Sequence, residues 1–216
     1  GKNPAVILKS ADLDKTINVL LRACFSNNGQ VCLNTERVYC HEDLYDQFLE
    51  KFIKATEEKY VGGQDKKLMG DPLKNETMVG PLSSRTHLEK VSKMVKTAIE
   101  KGAKIENPSG YRGEDNSISA QKGAFFPPTI LSNVDENFEI VQNEAFGPIA
   151  CVMKFSTESE AIERANNTFY GLTAVVFSED LVTAHRVAGK LEAGQVWINN
   201  WAVMNTHMPF GGAKQS

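Results

Sequence analysis

Three short stretches hold the residue types that do chemistry. The first is Phe25-Ser26-Asn27-Asn28-Gly29-Gln30-Val31-Cys32-Leu33, a cysteine placed just after small, polar, turn-forming residues. Asn and Gly tolerate positive φ at little cost, so Asn27-Asn28-Gly29 reads as a tight turn between a helix and a strand. Such a turn leaves the next backbone amides unpaired and aimed at a common point. A thiol beside free amide donors forms the thiolate, the nucleophilic form, more readily. On spacing alone the packing reading of Cys32 is the stronger, because most cysteines are small buried hydrophobes. The second stretch is Asn143-Glu144-Ala145-Phe146-Gly147-Pro148, an acid and an aromatic in a stiff turn. Taken singly, Glu144 reads as a solvated loop acid and Phe146 as a core aromatic. The third runs from Gly194-Gln195-Val196-Trp197-Ile198-Asn199 to Pro209-Phe210-Gly211-Gly212-Ala213-Lys214.

The remaining cysteines and the histidines narrow the chemistry. Cys24 follows Ile17, Leu20 and Leu21 at helical spacing, and Cys40 alternates with Val38 in a strand pattern, so both read as core. No Cys-x-x-Cys occurs and no cysteine–histidine cluster has zinc spacing, so no metal is expected. Four cysteines in 216 residues do not make a disulfide framework, and a reducing, cytoplasmic setting fits them. A cysteine hydrolase would need a Cys–His pair. His41 ends a strand, His87 and His185 fall in helix patterns, and His207 lies in the tail without an orienting acid at a recognisable spacing.

These residues must be held by a framework. Residues 5–8 read as a buried strand, and Asp12 caps a helix whose apolar face is Leu13, Ile17, Leu20, Leu21, Cys24 and Phe25. Residues 35–41 read as a strand, 42–60 as a helix, and 61–82 as a long connection. Ser84 caps a helix that Gly102 ends, with a short strand over 103–106 and an exposed loop or hairpin over 107–123. An apolar strand over 124–131 is limited by Pro127-Pro128. Strand 149–155, a helix from Thr157 through 165, strand 172–177, a helix from Asp180 through 191 and strand 195–199 complete the chain. Strands apolar on both faces alternating with amphipathic helices predict one α/β domain, a mostly parallel open sheet flanked by helices. Ligands of such sheets gather at the carboxyl ends of strands, which is where the Cys32 turn is expected. With 24 basic and 27 acidic residues the formal charge is −3 and no basic block occurs, so no nucleic-acid partner is expected. Apolar runs as short as Ala5-Val6-Ile7-Leu8 imply no membrane partner, and the first residues show no leader pattern.

Taken together, these stretches resemble the catalytic domain of the NAD(P)-dependent aldehyde dehydrogenase superfamily. The matching residues are Gly1-Lys2-Asn3-Pro4, Gly29-Gln30-Val31-Cys32, Phe126-Pro127-Pro128-Thr129, Tyr170-Gly171-Leu172 and Pro209-Phe210-Gly211-Gly212. Within the superfamily the chain is most similar to the muconic-semialdehyde group, through residues 26–32 and Glu163-Arg164-Ala165-Asn166-Asn167. The resemblance implies that Cys32 attacks an aldehyde and that its backbone amide stabilises the oxyanion. It implies that Glu144 holds the nicotinamide ribose and that Phe146 packs by the nicotinamide ring. It also implies a substrate pocket of Val31, Leu33, Trp201, Met204 and His207. NAD or NADP is the implied cofactor, a small-molecule aldehyde the implied partner, and a homodimer or homotetramer the implied parent assembly. Residues 1–216 would form the thiol-bearing domain, without the dinucleotide-binding domain, the general-base glutamate before the Gly-Gly-Lys segment, the oxyanion asparagine or the final C-terminal segment. An exposed apolar surface is then expected where the partner domain docks. Where the muconic-semialdehyde group has a carboxylate-binding arginine, this chain has Met204, which points to a neutral or aromatic aldehyde. A cysteine hydrolase and a non-catalytic domain keeping the fold are the competing classes.

Overall fold

The computed structural model describes residues 1–61, 68–111 and 123–216. Its centre is a seven-stranded sheet built from β1 (Asn3–Ile7), β2 (Thr35–His41), β3 (Lys104–Ile105), β4 (Thr129–Ser132), β5 (Ile149–Phe155), β6 (Thr173–Phe177) and β7 (Gln195–Ile198). The spatial order is β3-β4-β5-β2-β1-β6-β7, and every pairing is parallel except β3 with β4. The fold is therefore the mostly parallel α/β sheet that the alternating pattern predicts.

Side chains alternate across a strand with period two, and here both faces are covered. Val6, Tyr39, Cys151, Met153, Ala174 and Val176 point to one layer. There they meet α3 (Arg85–Glu100), α4 (Glu139–Gln142), α5 (Glu158–Asn166) and α6 (Leu181–Ala188). Their neighbours Ala5, Ile7, Val38, Cys40, Val152, Val175 and Phe177 point the other way, against α1 (Leu13–Phe25) and α2 (Glu42–Thr56). The second layer holds an aromatic stack in which Phe52 lies 5.3 Å from Phe48 and 5.9 Å from Phe25, centroid to centroid.

The caps are those the sequence announces. Asp12 accepts from the amides of Asp14 and Lys15, Ser84 from His87, Thr157 from Glu160, and Asp180 from Val182 and Thr183. Gly102 stops α3 with φ 104°. Several boundaries differ. The helix expected over 42–60 stays α-helical only to Thr56 and then widens into a π-turn, Glu57–Val61. The strand expected over 124–131 is confined to β4, because prolines at 127 and 128 have no amide hydrogen for a ladder. The helix from Asp180 ends at Ala188, before Gly189. The four-residue α4 was too short to leave a periodic signature. Parts of the expected connection 61–82 and loop 107–123 lie outside the described residues.

One expectation is reversed. The Cys32 turn sits at the amino ends of the strands, not the carboxyl ends: Asn3 at the start of β1 is in register with Thr35 at the start of β2. The reason is topological. In a parallel crossover α1 carries the chain back from the end of β1 to the edge where β1 began, so a helix-to-strand loop always lies at that edge. The carboxyl-end rule describes strand-to-helix loops. The 144–148 loop precedes β5 and lies at the same edge.

Phe52 is fully buried between the two stacked rings. Truncation Phe52→Ala is expected to lower stability by about 3–5 kcal/mol, seen as an earlier urea midpoint without a change in slope.

Candidate active site

The Cys32 turn takes its shape from three consecutive left-handed residues. After α1 ends, Asn27 (φ 50°), Asn28 (φ 56°) and Gly29 (φ 73°) reverse the chain. Asn is the side chain that tolerates this region best, and Gly29 is required for a further reason. A Cβ at position 29 would stand 2.0 Å from the carbonyl oxygen of Gly147, so the turn is pressed backbone to backbone against the 144–148 loop. Asn28 is buried and donates to Gly80 O at 3.0 Å. The Asn34 amide donates to Val31 O at 2.9 Å and closes the turn. That bond holds the peptide between Val31 and Cys32 by its carbonyl, leaving the Cys32 N–H on the opposite side. Among the described residues no acceptor meets this N–H.

Two buried amide side chains hold the turn from below. Asn34 Nδ2 donates to Cys24 O at 3.2 Å and Ser26 O at 3.5 Å, receiving the end of α1. Asn3 Nδ2 donates to Cys32 O at 2.8 Å and Asn34 O at 2.7 Å, and its Oδ1 accepts from Thr173 N at 3.1 Å.

The neighbouring loop is fastened by side chains rather than by a ladder. Glu36, buried in β2, accepts the amides of Ala145 and Phe146, each at 3.0 Å. Its charge is balanced by the fully buried ammonium of Lys2. Lys90 donates to Glu144 O at 2.9 Å, and His87 Nε2 donates to Phe146 O at 2.8 Å. The loop is thus fixed with Phe146 at φ 58°, a conformation that costs a non-glycine residue energy and persists only when over-determined. The Glu144 carboxylate is partly exposed and lies beside the backbone nitrogen of Gly1.

On the other flank Trp201 is buried, and its Nε1 donates to Leu33 O at 3.0 Å, joining the tail to the turn. Trp197 Nε1 holds Val203 O at 3.0 Å. The structure therefore brings together Val31, Cys32, Leu33 and Trp201, with the loop of Glu144 and Phe146 packed alongside. Met204 and His207 lie farther along an exposed tail, where Val203, Met204, Met208 and Phe210 all face solvent. Among the described residues, no hydrogen bond ties the His207 side chain to the turn.

Thiol reactivity separates the four cysteines. Cys32 is exposed and the other three are buried. Burial pushes the Cys40 and Cys151 thiols up to about 12 and Cys24 higher still, because the interior disfavours a thiolate. Among the described residues no three His, Cys, Asp or Glu side chains gather to hold a metal, and no helix is long and apolar enough to cross a membrane.

Sequence reasoning passed over Lys2, Asn3, Asn34, Glu36, His87 and Lys90. The available signal was Glu36-Arg37 inside a run that otherwise reads as a buried strand. Charges there must be paired or hydrogen-bonded.

Comparison with known proteins places this geometry in a family. The model of the aldehyde dehydrogenase family matches residues 1–216, and the chain belongs to that family. It is 40% identical over 216 residues to 2-aminomuconic semialdehyde dehydrogenase from Homo sapiens, covering all of this chain and 43% of the relative. It is also 40% identical to betaine aldehyde dehydrogenase from Vibrio vulnificus, covering 42% of that protein. Among solved structures, betaine aldehyde dehydrogenase from Staphylococcus aureus in complex with NAD+ superposes with a TM-score of 0.88 at 34% identity. That match covers all of this chain and 40% of the other. The chain thus spans less than half the length of these relatives.

Timed alkylation of the native chain near neutral pH, with peptide mapping, is expected to modify Cys32 well ahead of Cys24, Cys40 and Cys151. Equal rates at all four would show that the turn is closed off.

Proposed function

We propose that this chain is the thiol-bearing domain of an NAD- or NADP-dependent aldehyde dehydrogenase, with Cys32 as the nucleophile. The observation that carries the reading is the exposed Cys32 thiol on a rigid turn, packed directly against the loop bearing Glu144 and Phe146.

The thiolate of Cys32 adds to the aldehyde carbon and forms a C–S bond, and the carbonyl oxygen becomes an oxyanion. The Cys32 N–H, without an acceptor of its own among the described residues, is a donor fixed in advance for that charge; such donors contribute several kcal/mol to acyl-transfer transition states. A nicotinamide dinucleotide held at Glu144 and Phe146 would supply a hydride acceptor beside the adduct, the oxidant needed to leave a thioester on Cys32. Water then cleaves the C–S bond, releasing the carboxylic acid and restoring the thiol.

The residues present fit a dinucleotide on one side only. A partly exposed carboxylate such as Glu144 can accept two ribose hydroxyls, and the Phe146 ring beside it offers an apolar face. No Gly-x-Gly-x-x-Gly or other phosphate-cradling loop occurs in the sequence. Assayed by themselves, these 216 residues are therefore expected to form no NADH from NAD+ and an aldehyde; NADH formation would overturn this division of labour.

The pocket is read as Val31, Leu33 and Trp201, extended by the tail through Met204 and His207. Met204 offers a thioether where a bidentate cation would select a carboxylate, so the substrate class is a neutral or aromatic aldehyde. In a protein that carries this chain with its remaining domains, kcat/KM for neutral aldehydes is expected to exceed that for acidic semialdehydes. The Cys32→Ala variant is expected to lose aldehyde oxidation altogether. A strong preference for acidic semialdehydes would refute the substrate class, and residual turnover in the Cys32→Ala variant would refute the nucleophile.

A further inference from the structure

We propose that Asn3 is a positioning residue for Cys32, holding the nucleophile's own carbonyl so that its amide and its Cα–Cβ bond keep one orientation. The inference rests on the reading of Cys32 as the nucleophile. Asn3 is 2% exposed and uses all of its short amide: one nitrogen bonds Cys32 O at 2.8 Å and Asn34 O at 2.7 Å, and the oxygen takes Thr173 N at 3.1 Å. An amide is the group that can do this, since it offers two donors and an acceptor in one plane. The contact is also close-packed. A Cβ on Gly1 would stand 2.7 Å from Asn3 Oδ1 and 3.2 Å from Cys32 O, so the first residues of the chain are pressed against the nucleophile's carbonyl.

The consequence follows from peptide geometry. The bond from Asn34 N to Val31 O fixes the peptide before Cys32, and the Asn3 bond to Cys32 O fixes the peptide after it. With both peptide planes set, the backbone rotations at Cys32 are set too, and with them the directions of its N–H and its Cα–Cβ bond. Since Asn3 also grips Thr173, the nucleophile is referenced to the interior of the sheet, where β1 lies between β2 and β6.

The test compares two reactions of the Cys32 thiol in the native chain. With iodoacetamide, sulfur displaces iodide and no oxyanion forms. With p-nitrophenyl acetate, sulfur attacks the ester carbon, an oxyanion forms and collapses, p-nitrophenolate leaves and an acetyl thioester remains on Cys32. Both use the thiolate, so their rate ratio cancels any change in thiol acidity and reports the aim of the amide. In Asn3→Asp the carboxylate still accepts from Thr173 N but has no proton for Cys32 O; in Asn3→Ala both are lost. The acylation-to-alkylation ratio at Cys32 is expected to fall about tenfold or more in both variants, while Cys24, Cys40 and Cys151 stay protected and so report an intact fold.

An unchanged ratio in the aspartate variant with a fall only in Asn3→Ala would assign Asn3 to Thr173 alone and overturn the proposal. Opening of the buried thiols in both variants would make Asn3 merely structural, and would overturn it equally. A wild-type chain whose Cys32 alkylates but never acylates would instead overturn the nucleophile reading, and the inference with it.

Discussion

The site depends on charge placed where water cannot reach it. Lys2, Glu36 and Arg37 are all buried at the amino edge of the sheet. An isolated buried charge costs several kcal/mol, so each of these groups holds its place only through its partners. Glu36 has Lys2 and two loop amides; Arg37 has the Lys2, Arg164 and Ala165 carbonyls and the Tyr39 hydroxyl. Removing any one member leaves an unpaired group indoors. The network therefore acts as a specification more than a source of stability: few other arrangements of these loops satisfy it.

That specification explains why the edge can hold so much left-handed backbone. Asn27, Asn28 and Phe146 all carry positive φ within two loops that touch. Such conformations survive only where surrounding bonds over-determine them. Asn34 and Asn3 supply those bonds for one loop, and Glu36, His87 and Lys90 for the other. For the oxyanion role proposed for the Cys32 amide such rigidity would matter, because a donor that already points at a developing charge need not reorganise during reaction.

The framework was legible because it is local. Asp12, Ser84, Thr157 and Asp180 announce their helices through a side chain reaching two or three residues ahead, and Gly102 stops α3 through its own φ. The alternation of Ala5, Val6 and Ile7 between two cores follows from the pleat of one strand. Cys32 could be set apart because it falls outside any apolar stripe. The supporting shell was not legible, because its bonds run between distant residues: Asn3 reaches Cys32, and Glu36 reaches Ala145 and Phe146. No periodicity records such partners. The edge of the sheet on which the turn lies was misjudged for a related reason, since a rule about strand-to-helix loops was applied to a helix-to-strand loop.

The position of β1 carries a cost during synthesis. It is made before both of its neighbours, yet it ends up in the sheet interior, with β2 on one side and β6 on the other. The second partner begins 170 residues later, at Thr173. At the pace of a ribosome that interval is roughly ten to thirty seconds. Throughout it, one side of an apolar strand waits with unpaired amides and carbonyls, the state that recruits other nascent chains. Long-range parallel pairing of this kind closes slowly. The same interior strand that carries Asn3 in the finished molecule is thus left open along one side for much of the time the chain is being made.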